Sequence, residues 1–145
     1  MRTTQQWLDE YSATHQNPLN QRIHRFTVPL IFWSMLAMVA TLPPVALLIL
    51  TPLFSFYFTL GWTYGFVMVF LTGVGLMVSY LMMIWGWPVF YLALAVFVLA
   101  WSAQFYGHRV EGKKPTFLND ILFLLIGPLW TLDKLGLFKK ALQTK

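Results

Sequence analysis

Three histidines, His15, His24 and His108, are all the imidazole this chain contains, and each sits in a short polar cluster. The first cluster reads His15-Gln16-Asn17-Pro18-Leu19-Asn20-Gln21-Arg22-Ile23-His24. The second reads Gln104-Phe105-Tyr106-Gly107-His108-Arg109-Val110-Glu111 and runs on to Lys114-Pro115. Neutral imidazole is the commonest metal ligand, and histidines with a carboxylate suit a divalent ion that keeps positions open for substrate, Fe(II) or Zn(II) alike. The three histidines and Glu111 therefore form one candidate ligand and catalytic set. Asn17, Asn20 and Gln104 are candidates to fix the imidazole tautomers through hydrogen bonds to the ring nitrogens that a metal leaves unused. Neither cluster has the tight spacing of a motif such as H-E-x-x-H. A structural reading therefore stands beside the metal one, with His15 ending a helix and His24 and His108 lying at a membrane surface.

The elements that must position these residues are apolar. From Phe26 through Gly107 there is no Asp, Glu, Lys, Arg or His. Hydrophobic residues make up 58% of the chain and charged residues 10%, against roughly 45–50% and about 25% in soluble domains. Such a block cannot keep a soluble surface hydrated, whereas a bilayer accepts about 20 apolar residues per crossing. The expected fold is an all-α integral membrane protein with about four transmembrane helices and helical cytoplasmic arms at both ends. We read residues 1–145 as one membrane domain: a polar arm over 1–25, a transmembrane block over 26–107 and a basic arm over 108–145. Pro43-Pro44 ends a first span over Phe26–Leu42, and Gly61 ends a second over Val45–Leu60 with Pro52 inside it. A third covers Trp62–Ile84 and closes at Gly86-Trp87-Pro88; the fourth covers Pro88–Gly107. The first two are short, so a re-entrant or kinked segment around Pro43–Pro52 is the alternative.

The net charge of +5 comes from the arms. Lys and Arg beside spans mark the cytoplasmic face and meet anionic headgroups, which explains the basicity without nucleic acid. Two basic arms require an even number of crossings, and four fits the length. All three imidazoles can then meet at one face. The polar first 25 residues hold no apolar h-region, so the first span is expected to act as its own insertion signal rather than a removable one. There is no Cys, which excludes disulfides and thiolate chemistry.

Within the arms, Thr3 and Gln6 have capping-box spacing, and Trp7 and Tyr11 share a helix face. Asn17-Pro18 has the chemistry of an N-cap and first helical residue, so a new helix should start there and enter the first span. On it Asn20 and His24 share a face; Gln104, His108 and Glu111 share one if the last span continues past Gly107. A short helix over Phe117–Ile126 should break at Gly127-Pro128, with an interfacial helix over Leu129–Leu142. Trp33, Trp62, Trp85, Trp87 and Trp101 read as interface anchors, and Gly65, Gly73, Gly75 and Ser79 as points of close helix packing. A transporter is disfavoured by the lack of an ionisable residue at mid-depth. A diiron lipid hydroxylase is disfavoured because three histidines are too few for its ligand set.

Two stretches, Tyr11 to Pro29 (Y-S-A-T-H-Q-N-P-L-N-Q-R-I-H-R-F-T-V-P) and Ala100 to Pro115 (A-W-S-A-Q-F-Y-G-H-R-V-E-G-K-K-P), carry a resemblance. The chain resembles the small membrane proteins named for the metabolism of phytosphingosine to odd-numbered fatty acids. The likeness covers both arms and continues more weakly to Gly127-Pro128 and Asp133; the spans match in character only. It implies an Fe(II)-dependent dioxygenase that uses O2 to shorten a 2-hydroxy fatty acid by one carbon. The family's functional histidines map onto His15, His24 and His108, and Glu111 falls on the acidic position of the motif. Phe26 stands where a glycine is usual, Thr116 replaces an alanine and Asp133 a glutamate. In such an enzyme the acyl tail would lie among the spans, and Arg22, Arg25, Arg109 or Lys114 would pair with the carboxylate. The membrane would be the inner membrane in a bacterium and the endoplasmic reticulum in a eukaryote; a homo-oligomer is compatible with the sequence. The rival reading is a non-enzymatic membrane protein that binds or organises lipid and uses its histidines structurally.

Overall fold

A computed structural model describes residues 3–112 and 117–138, with the backbone alone over 117–122. Among the described residues there are six helices and no strand: α1 (Thr4–Thr14), α2 (Pro18–Ala40), α3 (Pro43–Leu60), α4 (Trp62–Ile84), α5 (Val89–Glu111) and α6 (Phe117–Lys134). The chain divides into two compact units, one of Met1–Pro29 with Ala100–Lys145 and one of Leu30–Leu99. The first unit gathers the two stretches in which the polar clusters lie.

In the first unit, α1 opens on the expected capping box. Thr3 Oγ1 accepts from the Gln6 amide at 3.2 Å, and the Gln6 side chain accepts from the Thr3 amide at 2.8 Å. The helix buries Thr4, Leu8 and Tyr11 along one face and ends on His15. Asn17 then caps α2, its Oδ1 accepting from the Leu19 amide at 2.9 Å and the Asn20 amide at 3.4 Å. Proline at the next position costs nothing there, because that N–H has no intrahelical partner to lose. α1 packs on α6 through an edge-to-face contact of Tyr11 with Phe123 and a bond from Trp130 Nε1 to Ser12 Oγ at 2.9 Å.

α6 departs from expectation. It runs unbroken through Gly127-Pro128 instead of stopping there. Gly127 is a point of close approach: a Cβ at that residue would lie 3.0 Å from Val28 Cγ1 and 3.5 Å from the Tyr11 hydroxyl. Tertiary packing thus holds a helix that local propensity would end. The terminator is Gly136, with φ +86, where the Gly136 amide donates to Asp133 O and the Leu137 amide to Leu132 O. That pair of bonds is a Schellman cap, and it closes the helix at Lys134. The expected stretch Leu129–Leu142 is therefore not one helix as far as Phe138; its last four residues lie outside the described ones.

In the second unit, α3 and α4 are joined by Gly61 alone. Tyr57 is fully buried, and the Phe58 ring fills the space left by Gly65 while touching Trp62 and Phe66 edge-on. A small core of Ala37, Val89 and Ala93 is ringed by Trp33, Met38, Met82 and Met83. Gly75 lets Leu36 and Trp33 close on α4. The same two-bond cap at Gly86 ends α4, where the sequence places its boundary.

Four helices, α2 to α5, are long and apolar enough to cross a membrane. Leu47, Leu48, Phe70 and Leu99 leave roughly 70% of their surface exposed, which water would penalise and hydrocarbon does not. α2 starts at Pro18, before Phe26, and α5 continues past Gly107 to Glu111. α3 continues through Pro52 without a re-entrant break; its 18 residues rise about 27 Å, close to the thickness of a hydrocarbon core. Trp62, Trp85 and Trp87 are exposed at or just beyond the ends of α4 and suit anchoring. Trp33 and Trp101 lie within helices and are half-buried, so packing occupies them.

Substituting Gly127→Leu tests the account of α6. It should destabilise the protein by about 1–3 kcal/mol, the usual cost of overpacking, read as a lower thermal midpoint in detergent. A raised midpoint would show that Gly127 is only a tolerated helix breaker.

Candidate metal centre

All three histidines belong to the first unit. His15 is the C-cap of α1, His24 lies near the start of α2 and His108 lies in the last turn of α5. Their candidate ligand atoms fall within 4.8 Å of one another. Ring centroids are 4.4 Å apart for His15 and His24, 4.9 Å for His24 and His108, and 5.5 Å for His15 and His108. His15 is 2% exposed, His24 1%, and His108 is half-buried. Rings this close would repel if more than one were protonated, so the arrangement suits neutral imidazoles carrying lone pairs.

Backbone carbonyls set the tautomers. His15 Nδ1 lies 2.8 Å from Tyr11 O and His24 Nδ1 lies 3.0 Å from Asn20 O, each carbonyl being four residues earlier. A carbonyl can only accept, so both Nδ1 atoms donate and each lone pair belongs to Nε2. The Thr14 hydroxyl, 3.0 Å from His15 Nδ1, adds a second acceptor. Tyr11 stacks on His15 with centroids 4.2 Å apart and planes 5° from parallel, and Trp130 flanks both rings. The donor set therefore fits one divalent ion: three imidazoles converge, and two are already turned to offer Nε2.

The rings open on a cavity of about 30 Å3 lined by Tyr11, His15, His24, Val28, Trp101, Gln104, His108, Phe123 and Leu124. A cavity needs some 10–15 Å3 to admit one water. This one has room for an ion and one or two small ligand atoms.

The other expected residues divide. Gln104 is buried and lines the cavity one helical turn from His108. Asn17 and Asn20 do not bond the ring nitrogens through their side chains; Asn17 caps α2, and Asn20 directs its Nδ2 to Glu111 Oε2 at 3.0 Å. Asn20 reaches His24 through its backbone carbonyl. Glu111 is not among the converging ligand atoms. Its carboxylate accepts from the Gln16 amide at 2.8 Å and the Asn17 amide at 2.9 Å as well as from Asn20. Arg22, Arg25 and Arg109 are exposed and none lines the cavity. Lys114 lies outside the described residues. Two contributors escaped the sequence reading: Tyr11, whose i, i+4 spacing to His15 could have revealed the stack, and Trp130, for which no local signal exists.

Gly107 is the point where α5 meets Asn20, because a Cβ there would run into Asn20 Oδ1. Gly107→Ala should cost about 1–3 kcal/mol through overpacking. Gly73→Ala is the control, with nothing within 4 Å of an added Cβ; there the helix gains up to about 1 kcal/mol in propensity. Thermal unfolding in detergent should separate the two, and equal midpoints would refute the close contact.

No curated protein and no solved structure matches the chain. A protein family described as 2-hydroxy-palmitic acid dioxygenase Mpo1-like matches residues 1–137, which takes in every helix and all three histidines. The chain belongs to that Mpo1-like family.

Proposed function

We propose that the protein is an Fe(II)-dependent dioxygenase that shortens a 2-hydroxy fatty acid by one carbon at the membrane surface. The observation that carries this reading is the buried convergence of His15, His24 and His108, in a chain whose family is named for such an activity. The overall change turns R–CH(OH)–COOH and O2 into R–COOH, CO2 and H2O. Four electrons leave the two carbons and one O2 accepts them, so no separate reductant is required.

His15, His24 and His108 would hold the iron, which would supply the redox chemistry with O2 when bound. The carbonyls of Tyr11 and Asn20 keep two imidazoles in the tautomer that offers Nε2. Val28, Trp101, Phe123 and Leu124 give the cavity apolar walls that exclude bulk water. The hydroxyl-bearing end of the substrate enters this cavity. The tail lies outside, against apolar helix surface of the kind that faces lipid. Arg22, Arg25 and Arg109, being exposed, act before entry, by drawing the anionic head and the anionic lipid surface to the site; Lys114 is assigned the same part. Both basic arms face the cytoplasm in this reading, and residues 1–145 work as one membrane domain.

Purified protein supplied with Fe(II) should consume O2 with 2-hydroxypalmitate and yield a fifteen-carbon acid. His15→Ala, His24→Ala and His108→Ala should each lose the metal and at least about a hundredfold in rate, the scale on which single ligand and outer-ligand changes act. Retention of metal by all three variants, or no O2 uptake by iron-loaded wild type with any 2-hydroxy acid, would favour the structural, lipid-organising reading.

A further inference from the structure

Glu111 is the last residue of α5, a place where the helix dipole disfavours an anion. Its carboxylate is nonetheless held by three donors, none from its own helix: the Gln16 and Asn17 amides and Asn20 Nδ2. Those donors flank the histidines. Gln16 and Asn17 directly follow His15. Asn20 is fully buried, and its carbonyl orients His24. His108 lies three residues before Glu111 on the same helix. One carboxylate therefore joins the segments that deliver all three imidazoles, across more than ninety residues of sequence.

We infer that Glu111 is a positioning residue and not a metal ligand: it ties the α1–α2 junction to the end of α5 and so closes the histidine trio. Both oxygens are already engaged, Oε1 by Gln16 and Oε2 by Asn17 and Asn20. Three donors fill three of its roughly four lone-pair sites, and its oxygens are not among the ligand atoms that converge with the imidazoles. The Gln16 and Asn17 amides lie outside the helical ladder, and the carboxylate is what satisfies them. Gly107 completes the join by letting α5 close on the Asn20 side chain.

The metal part of this inference rests on the proposed function; the tether itself does not. Two measurements on the full-length protein in detergent separate them. In the metal-free protein, Glu111→Gln should speed amide exchange at Gln16 and Asn17 at least about tenfold, while the Trp7 amide, bonded to Thr3 O within α1, is unchanged. In a titration with Co(II) alone, the same variant should bind one ion about 10–100-fold more weakly, the range for residues that orient ligands. Its visible spectrum at saturation should match wild type. Glu111→Asp keeps the charge but shortens the reach, and should fall between the two; it carries the same test if Glu111→Gln does not fold. Unchanged exchange at Gln16 and Asn17 would overturn the tether. An altered spectrum at saturation would make Glu111 a ligand and overturn the positioning role. If wild type bound no Co(II), the proposed function would fail, and amide exchange alone would decide the tether.

Discussion

A hydrocarbon core offers no water to an ionisable group, and this constraint shapes the rest of the molecule. No Asp, Glu, Lys, Arg or His lies within Phe26–Gly107. Chemistry must then be assembled where helices leave the apolar layer. The chain meets this by making two helices longer than their apolar cores. α2 starts eight residues early and carries His24 on that extension, while α5 continues far enough to carry His108 and Glu111. A short amphipathic helix, α1, brings His15 as its final cap.

Rings delivered from three helices need orientation as well as proximity. Here that comes largely from the main chain, through carbonyls one helical turn before His15 and His24. A helix carbonyl near an N-terminus or a frayed end is a fixed acceptor, insensitive to side-chain rotation, and it costs no side-chain entropy to recruit. Parallel stacking of Tyr11 on His15 restrains the ring plane as well. Asn17 and Asn20, whose side chains the sequence suggests for this task, instead cap the start of α2 and hold Glu111. The division of labour suits a cavity this small, in which a misplaced ring would close the space between the imidazoles.

Much of this was legible in the sequence because it follows from local rules. The charge-free block reveals the spans, Asn17-Pro18 marks the start of α2, and Thr3 with Gln6 marks the start of α1. Even parity of the spans allows the three histidines to meet at one face. What escaped is what long-range contacts decide. Gly127-Pro128 has the composition of a helix end, but packing against Val28 and Tyr11 overrides it, and the less conspicuous Gly136 provides the stop. Helical spacing puts Glu111 near His108, yet nothing local reveals that its partners are amides at the start of α2. The arginines have the right charge for a carboxylate, but helical phase turns them outward, away from the cavity. Trp101, read as an interface anchor, is cavity wall.

The central claim is that one metal ion is held by His15, His24 and His108. X-ray absorption spectroscopy of the metal-loaded protein tests it most directly, because imidazole rings leave a multiple-scattering signature that carboxylates and water lack. The account predicts three imidazoles on a single ion, with the remaining ligands oxygen from solvent or substrate. One imidazole or none, or a carboxylate supplied by Glu111, would contradict it.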